Sequence, residues 1–549
     1  MKPPSGKDFV APGLPAWFSR DWLRGLLLIL AVLVTYQPVW YAGFIWDDDY
    51  HVTANPCIVG PLGLTDIWTT RAGHFYPLAL TTFWVIHALW GLAPLPYHLM
   101  NVIQHAACGV VLWRVLQRLQ VPGAWLGAAI WALHPLQVES VAWISELKNT
   151  QSCLFYLLTI LFFLRWLGSG ENGKNYDANY VLTLLFAALA MTSKSSTLVL
   201  PVVLFLAAWW LERRWQSRHL VLLVPIGLMA VIAAAITMWP QPAEMAFITD
   251  PQLMRTWPER IATAGDVIWF YLGKLAWPHP LLMIYPHWEI DVGRWSTWLP
   301  LLAALVGLAI LWFQRGSRFR ACFFASAYFL VVLSPFLGVL DQPFWRYSFV
   351  EDHLQYLAGI GPLALAAAGL VWYAGVALPG RGWLQTGLGA SLVFVLGLLS
   401  WQRTWSYESY ERLWTDTVAQ DPNCWLGHNN LGAVYLQKGR VDEALANFQK
   451  ALEIHPRYAD AHYNMGEAFA LKGDMDQAIV EYEKALEIDP NDVDTHDNLG
   501  LAFLQMRKAN EAMVQFREAL RLKPDDGNAQ VYLTKAEVMA RQNHPSPSR

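Results

Sequence analysis

NNLGAVYLQKGRVDEALANFQKALEIHP, residues 429–456, returns as YNMGEAFALKGDMDQAIVEYEKALEIDP at 463–490 and as DNLGLAFLQMRKANEAMVQFREALRLKP at 497–524. Pro422, Pro456, Pro490 and Pro524 recur at a spacing of 34, as do Gly432, Gly466 and Gly500, and Ala444, Ala478 and Ala512. Each unit reads as helix, turn, helix. Small residues stand where paired helices must approach, and proline ends the second helix because it has no N–H to offer the preceding turn.

A 34-residue period of this kind is the tetratricopeptide signature. It predicts repeats over 423–456, 457–490 and 491–524, a joining helix in 404–421, a capping helix over 525–541 and a disordered tail at 542–549. Three repeats with caps are about the fewest that stack a continuous core. Asn430, Asn464 and Asn498 stand at matching positions, one per repeat. They are expected on the concave face, where they would either hydrogen-bond an extended peptide or tie neighbouring helices.

The rest of the chain differs in kind. The whole is 55% hydrophobic with 30 Trp and only 15% charged residues. From Arg403 onward 16 basic and 23 acidic residues give a net of −7, which leaves +3 on residues 1–402. A mildly basic membrane half and an acidic soluble half follow, with nothing to suggest nucleic-acid binding. A bilayer-crossing helix needs about 20 apolar residues. Eleven spans are expected, near 21–41, 97–117, 123–143, 150–167, 178–193, 195–211, 219–239, 297–313, 321–340, 354–376 and 383–402. The apolar pieces 76–92 and 261–278 read as interfacial or re-entrant helices. Arginines at alternate span ends, such as Arg114 and Arg118, Arg213 and Arg214, and Arg318 and Arg320, mark the cytoplasmic side. The N-terminus is then cytoplasmic and the repeats extracytoplasmic. The first apolar run lacks a small-residue cleavage pattern and reads as a retained span. Five scattered cysteines give neither a disulfide framework nor a zinc spacing.

Polar residues gather in the outer loops. FIWDDDYHVTANP, residues 44–56, puts Asp47, Asp48 and Asp49 side by side directly after the first span. Adjacent acids repel, so the run reads either as a solvated cap or as a catalytic carboxylate with supporting neighbours; one held near apolar surface has a raised pKa and can act as a general base. His98, Asn101 and His105 share a helical face, which suits a packed hydrogen-bonding trio or a supporting role. HPLQVESVAWISELKN, 134–149, sets Glu139 and Glu146 on one face of an expected amphipathic interfacial helix, with His134 free to meet an acid or a phosphate. Lys194, in MTSKSST between two spans, either snorkels or grips an anion. RYSFVEDHLQYLAGIG, 346–361, contributes Arg346 and His353, which also suit a phosphate. No Walker loop, no GxGxxG after a strand, no HExxH and no GxSxG is present. Three function classes stay open on these residues: a membrane enzyme, a repeat-bearing scaffold for an envelope complex, and a carrier of lipid-linked saccharides.

The order of these motifs, FIWDDDYHVTANP, YHLMNVIQHA, HPLQVESVAWISELKN, TSKSSTLVLPVVLFL and RYSFVEDHLQYLAGIG ahead of 34-residue repeats, resembles the transmembrane and tetratricopeptide-repeat O-mannosyltransferases and their bacterial homologues. The resemblance implies an all-α polytopic bundle of the C-type glycosyltransferase fold over 1–402, followed by an α-solenoid over 403–541. It implies inverting transfer of a sugar, mannose in the family, from a polyprenyl-phosphate carrier to a protein hydroxyl at the outer face. The family's acidic pair maps onto Asp47 and Asp48, with Asp49 leaving the register open by one. Lys194, Arg346, His353 and His134 would hold the donor phosphate, while Glu139, His98, Asn101 and His105 support the site. The donor is then the lipid-linked sugar, the acceptor or partner a protein or peptide held by the repeats, and no resident metal is expected. For a bacterial chain the location would be the inner membrane.

Overall fold

A computed structural model describes residues 21–70, 76–169, 176–214, 216–238, 255–339, 345 and 347–543. Arg346 and the 544–549 tail lie outside the described residues. The chain divides after Ser409 into two compact units. Among the described residues every regular element is helical.

The first unit contains α1 (Asp21–Thr35), α2 (Leu64–Thr69), α3 (Pro77–Trp90), α4 (Pro94–Arg118), α5 (Ala124–Ala132), α6 (Val138–Ala142), α7 (Leu147–Ser169) and α8 (Tyr176–Ser193). It continues through α9 (Leu200–Glu212), α10 (Ser217–Met238), α11 (Trp257–Ala276), α12 (Leu299–Phe313), α13 (Arg320–Leu333), α14 (Ile360–Ala377) and α15 (Gly382–Thr404). Among the described residues seven helical stretches are long and apolar enough to cross a membrane: 94–118, 144–169, 195–212, 219–237, 295–313, 360–377 and 382–407. Shorter apolar helices cover 77–90, 177–193 and 320–336. Val231, Ile232 and Ile236 on α10, and Leu302 and Leu305 on α12, are exposed. Apolar surface on this scale suits hydrocarbon and not water, and the protein is an integral membrane protein.

The expected span 123–143 is not one helix. α5 stops at Ala132, His134 is extended (ψ 135°), and two 3-10 turns (135–137 and 144–146) flank the short α6. The cause is Pro135, which excludes helical geometry at the residue before it and lacks an N–H. Nor is 134–149 a surface amphipathic helix, since every residue from Gly127 to Leu147 is buried. Polar side chains from α4 and α15 meet the freed backbone: His105 Nε2 at Ala132 O (2.8 Å), Asn101 Nδ2 at Trp143 O (2.9 Å) and Ser400 Oγ at Leu133 O (2.8 Å). Broken backbone at membrane depth is tolerated only where protein satisfies it.

The second unit opens with α16 (Tyr410–Gln420) and stacks α17 (Trp425–Gln437) with α18 (Val441–Ile454), α19 (Ala459–Lys472) with α20 (Met475–Ile488) and α21 (Val493–Gln505) with α22 (Ala509–Leu522), closed by α23 (Gly527–Asn543). A methyl group on Gly432, Gly466 or Gly500 would fall 2.6–2.7 Å from the ring of Phe448, Tyr482 or Phe516 respectively. Here the repeat's glycine is required by close helix approach. A histidine clamp also repeats. His428, His462 and His496 place Nε2 at the carbonyls of Pro422, Pro456 and Pro490 (3.0, 3.3 and 3.2 Å) and Nδ1 at Asn447, Glu481 and Gln515 (3.1, 2.7 and 2.7 Å). Gly466→Val should therefore destabilise the solenoid by about 1–3 kcal/mol through overpacking. Faster hydrogen exchange across Ala459–Ile488, with Leu147–Ser169 unchanged, is the expected readout.

Candidate active site

The acidic run lies in a tight reversal after the first helix. Asp48 N donates to Ile45 O (3.0 Å), and the Asp48 carboxylate answers by accepting from Ile45 N at Oδ2 (2.8 Å). Its Oδ1 accepts from both the amide and the hydroxyl of Ser145 (2.8 and 2.5 Å), which pins the loop onto the broken segment. Asp48 is fully buried, and burial raises its carboxyl to about 7 against the pull of the Ser145 and Ile45 donors. Trp46 holds φ at +41°, a region costly to a bulky residue, and stacks on Trp143 at 5.8 Å.

That geometry sends the three acids different ways. Asp48 is spent holding the turn. Asp49 is exposed and accepts from Thr53 Oγ1 (2.5 Å). Asp47 is half-buried, within electrostatic reach of Lys148, Tyr76 and Glu351. Of the three, Asp47 faces the charged groups described next.

Glu146, buried at the start of α7, is their hub. Lys148 Nζ lies 2.9 Å from Oε1 and Lys194 Nζ 3.7 Å from Oε2, while Asn149 Nδ2 donates to Oε2 (2.5 Å). Lys194 also donates to Asn149 Oδ1 (2.7 Å). Burial lowers Lys194 to about 8, with Glu146 opposing. Each ammonium has three N–H donors, so both lysines keep donors for an anion. Lys148 also lies over the Tyr76 ring at 5.4 Å, and the Tyr76 hydroxyl meets the His51 imidazole (3.2 Å).

His353 completes the cluster. Nδ1 meets Glu139 Oε1 (2.6 Å), and Nε2 lies 3.3 Å from Glu351 and 3.8 Å from Glu146. Burial drives His353 down to about 3, against Glu146, so the imidazole is neutral. Burial also raises Glu351 to about 8, reinforced by Glu146 and Asp47. Behind His353, Tyr407 donates to Glu139 Oε2 (3.4 Å), and Tyr285 donates to Asp352 (2.7 Å).

Other expected site residues are engaged elsewhere. His134 places Nε2 at Leu275 O (3.1 Å) and accepts from Leu136 N at Nδ1 (3.3 Å), so both ring nitrogens serve backbone and a phosphate role finds no support. His105 bridges Tyr356 OH (2.6 Å) and Ala132 O, and His98 contacts Gly43 O (3.4 Å). Asn464 donates to Asn429 (2.9 Å), Asn498 to the Tyr463 hydroxyl (2.9 Å), and Asn430 accepts from Asn429 (3.2 Å). The asparagine ladder thus ties successive repeats, because equivalent helices pack side by side one period apart. Sequence reading passed over Lys148, whose signal was its place two residues after Glu146 in SELKN. Among the described residues no group of three His, Cys, Asp or Glu is arranged to hold a metal ion.

The fold and the site define an all-α integral membrane protein with a buried, charge-paired polar site, continued by a tetratricopeptide-repeat region. Tetratricopeptide repeat families match residues 432–473 and 468–506 ("TPR repeat") and 493–526 ("Tetratricopeptide repeat"). The chain is also distantly homologous to animal O-mannosyltransferases. It is 24% identical over 559 residues to Protein O-mannosyl-transferase Tmtc1 of Drosophila melanogaster, covering 82% of this chain and 64% of that protein. Identity is 21% over 477 residues with Protein O-mannosyl-transferase F38B6.6 of Caenorhabditis elegans (79% and 63%), and 30% over 146 residues with TMTC2 of Mus musculus (24% and 18%). The chain thus spans less than two thirds of these relatives. Among solved structures, the MamA protein is 21% identical with a TM-score of 0.23 over 24% of this chain and 72% of its own.

Removing the hub should be costly. Glu146→Gln leaves Lys148 and Lys194 without their shared carboxylate, and breaking a buried pair costs about 3–5 kcal/mol. Asp49→Asn, at an exposed position, should stay within about 0.5 kcal/mol of the parent. Thermal unfolding of the two variants in one detergent checks the contrast.

Proposed function

We propose that the chain is a membrane glycosyltransferase that moves a sugar, mannose by analogy with its relatives, from a polyprenyl-phosphate carrier to a protein hydroxyl on the extracytoplasmic face. The observation that carries this reading is the convergence of Lys148 and Lys194 on Glu146 beside the half-buried Asp47 carboxylate. Cations with spare donors and a carboxylate base are what an in-line displacement at a sugar phosphate requires. Asp47 takes the proton of the acceptor hydroxyl as its oxygen bonds to the sugar's anomeric carbon. The bond from that carbon to the phosphate oxygen breaks, and the lysines receive the negative charge on the departing lipid phosphate. One step of this kind inverts the anomeric centre.

Asp48 acts in this scheme by fixing the loop, while Glu351 and His353, neutral near pH 7, flank the site without adding charge. Arg346, outside the described residues, is proposed to reach the phosphate from the 346–361 segment. The repeats are proposed to hold the acceptor or a partner protein. The domain assignment, 1–402 catalytic and 403–541 ligand-binding, belongs to the same proposal, as do the C-type glycosyltransferase fold, eleven spans, a cytoplasmic N-terminus and, for a bacterial chain, the inner membrane.

Protein in lipid vesicles, given polyprenyl-phosphate sugars and a protein extract from the host, tests the reading. Asp47→Asn should lower transfer at least about 100-fold, the scale of a lost general base, with thermal stability kept. Lys148→Gln and Lys194→Gln should raise KM for the donor. Unimpaired transfer in Asp47→Asn would sink this assignment, and no transfer from any donor by the parent chain would favour the scaffold. The pH profile has a defined sign. Lys194, lowered to about 8 by burial, is cationic below that pH and neutral above it. Donor KM should therefore rise as pH passes 8, and the rise should vanish in Lys194→Gln.

A further inference from the structure

α4, α7 and α9 begin at or beside the polar cluster, and at their opposite ends lies a second feature that the proposed reaction does not use. Helices α4, α7, α9, α13 and α14 surround a narrow, almost wholly apolar cleft of about 110 Å³. Leu112, Leu116, Ile160, Ala207, Phe324 and Ala364 are among its walls. The polar tips in its lining are already occupied. The Tyr328 hydroxyl donates to Leu357 O (3.2 Å) and the Trp210 indole to Leu119 O (2.8 Å). An occupant of the interior must therefore be hydrocarbon.

One end of the cleft has the opposite character. Leu119, Trp210 and Ala321 line the cleft where α4 and α9 end and α13 begins, and three arginines stand close to them in sequence though not in the lining itself. Arg118 ends α4, Arg213 follows α9 and Arg320 opens α13. The Trp210–Leu119 bond draws the ends of α9 and α4 together, and Arg320 donates to the Trp209 and Trp210 carbonyls while its guanidinium covers the Trp210 ring at 4.5 Å. Arg213 and Arg320 lie within electrostatic reach of one another. Among the described residues no carboxylate pairs with Arg118, Arg213 or Arg320, and Glu212 beside them contacts His219 (3.3 Å). Like charges gathered at one end of a hydrocarbon-lined cleft complement an anion that carries a hydrocarbon chain.

We propose that this cleft binds one anionic glycerophospholipid, with an acyl chain between the five helices and the headgroup phosphate on Arg118, Arg213 and Arg320. The phosphate on these arginines is not the donor's, because Arg118 lies about 25 Å along α4 from Asn101 at a rise of about 1.5 Å per residue, and competition by polyprenyl phosphate decides between the two tails. Tails gain little by exchanging bilayer for an apolar wall. Selectivity therefore rests on the arginines, and removing one should weaken binding about fivefold.

The test uses the full chain in detergent with a photoreactive phosphatidylglycerol carrying a diazirine on its acyl chain. Labelled peptides should contain Ile160, Ala207 or Phe324, and unlabelled phosphatidylglycerol should compete where phosphatidylcholine does not. Arg118→Gln and Arg213→Gln, both at exposed positions, should each raise the competing concentration about fivefold. Ala207→Phe with Ala364→Phe should remove the cleft labels while those on Ile232 and Leu305, at the exposed faces, persist. Should the filled variant fail to fold, the parent map and the arginine variants still decide. Labels confined to exposed faces, equal competition by phosphatidylcholine, or displacement by a polyprenyl phosphate as effective as by phosphatidylglycerol would each overturn the assignment.

Discussion

A backbone that breaks inside a buried bundle must find every lost hydrogen bond within the protein, and the first unit is organised around that requirement at residues 133–146. With no water to accept the freed groups, each unsatisfied one costs several kcal/mol, as an order of magnitude. α4 supplies His105 and Asn101, α15 supplies Ser400, and the loop after α1 supplies Asp48. The consequence reaches beyond local satisfaction. A continuous helix through 143 would have carried residues 133–143 straight on along the axis of α5. Folded back instead, the segment brings Glu139, Ser145 and Glu146 to the starts of α7 and α9, where Lys148, Asn149 and Lys194 already stand.

Buried charges in such a place are not evidence of stability, since desolvation offsets much of their attraction. Here two lysines share one carboxylate, an economy that leaves ammonium donors uncommitted. Beside them two ionisable groups are held neutral: His353 by burial, and Glu351 by burial with Glu146 and Asp47 nearby. The site is thereby close to charge balance when empty, with Asp47 and Glu146 against the two lysines. In the proposed reaction a phosphate diester entering it would meet donors without meeting a crowd of ionised acids. Removing one lysine would upset that balance in the empty site as well as weaken the proposed phosphate contact.

The repeats were wholly legible, because a 34-residue period seen three times fixes both helices and their crossings; Gly466 against Tyr482 is the same contact as Gly432 against Phe448. The long apolar helices were legible from composition. The break after Ala132 was not, although Pro135 signalled it, because an apolar run reads alike whether it is a lipid-facing helix or a buried kinked chain. The shared face of His98, Asn101 and His105 was read from spacing, yet spacing is silent about partners, and Asn101 and His105 bond to backbone carbonyls of the broken segment. Lys148 was hidden for the same reason: on an interfacial helix it would have been one more solvated charge. The asparagines of the repeats likewise have a side-by-side neighbour that only packing discloses.

Why three adjacent carboxylates should persist in one turn follows from their divergent directions. In a strand or helix, neighbours point at fixed angles; in the reversal at Ile45–Asp49, the positive φ of Trp46 reorients the chain by one residue and breaks any such rule. Asp48 turns inward, where two backbone amides and a hydroxyl offset the cost of its burial. Its anchoring holds Asp47 at the edge of the lysine cluster, half-buried beside Tyr76, which is a position that a mobile loop could not maintain. Asp49, with Thr53 as its partner, closes the wide turn that follows. On the proposed reading the run is one carboxylate for chemistry, one for placement and one for the end of the turn. Its cost in mutual repulsion is lowered by the partial neutralisation of the buried middle member, whose carboxyl burial has raised to about 7.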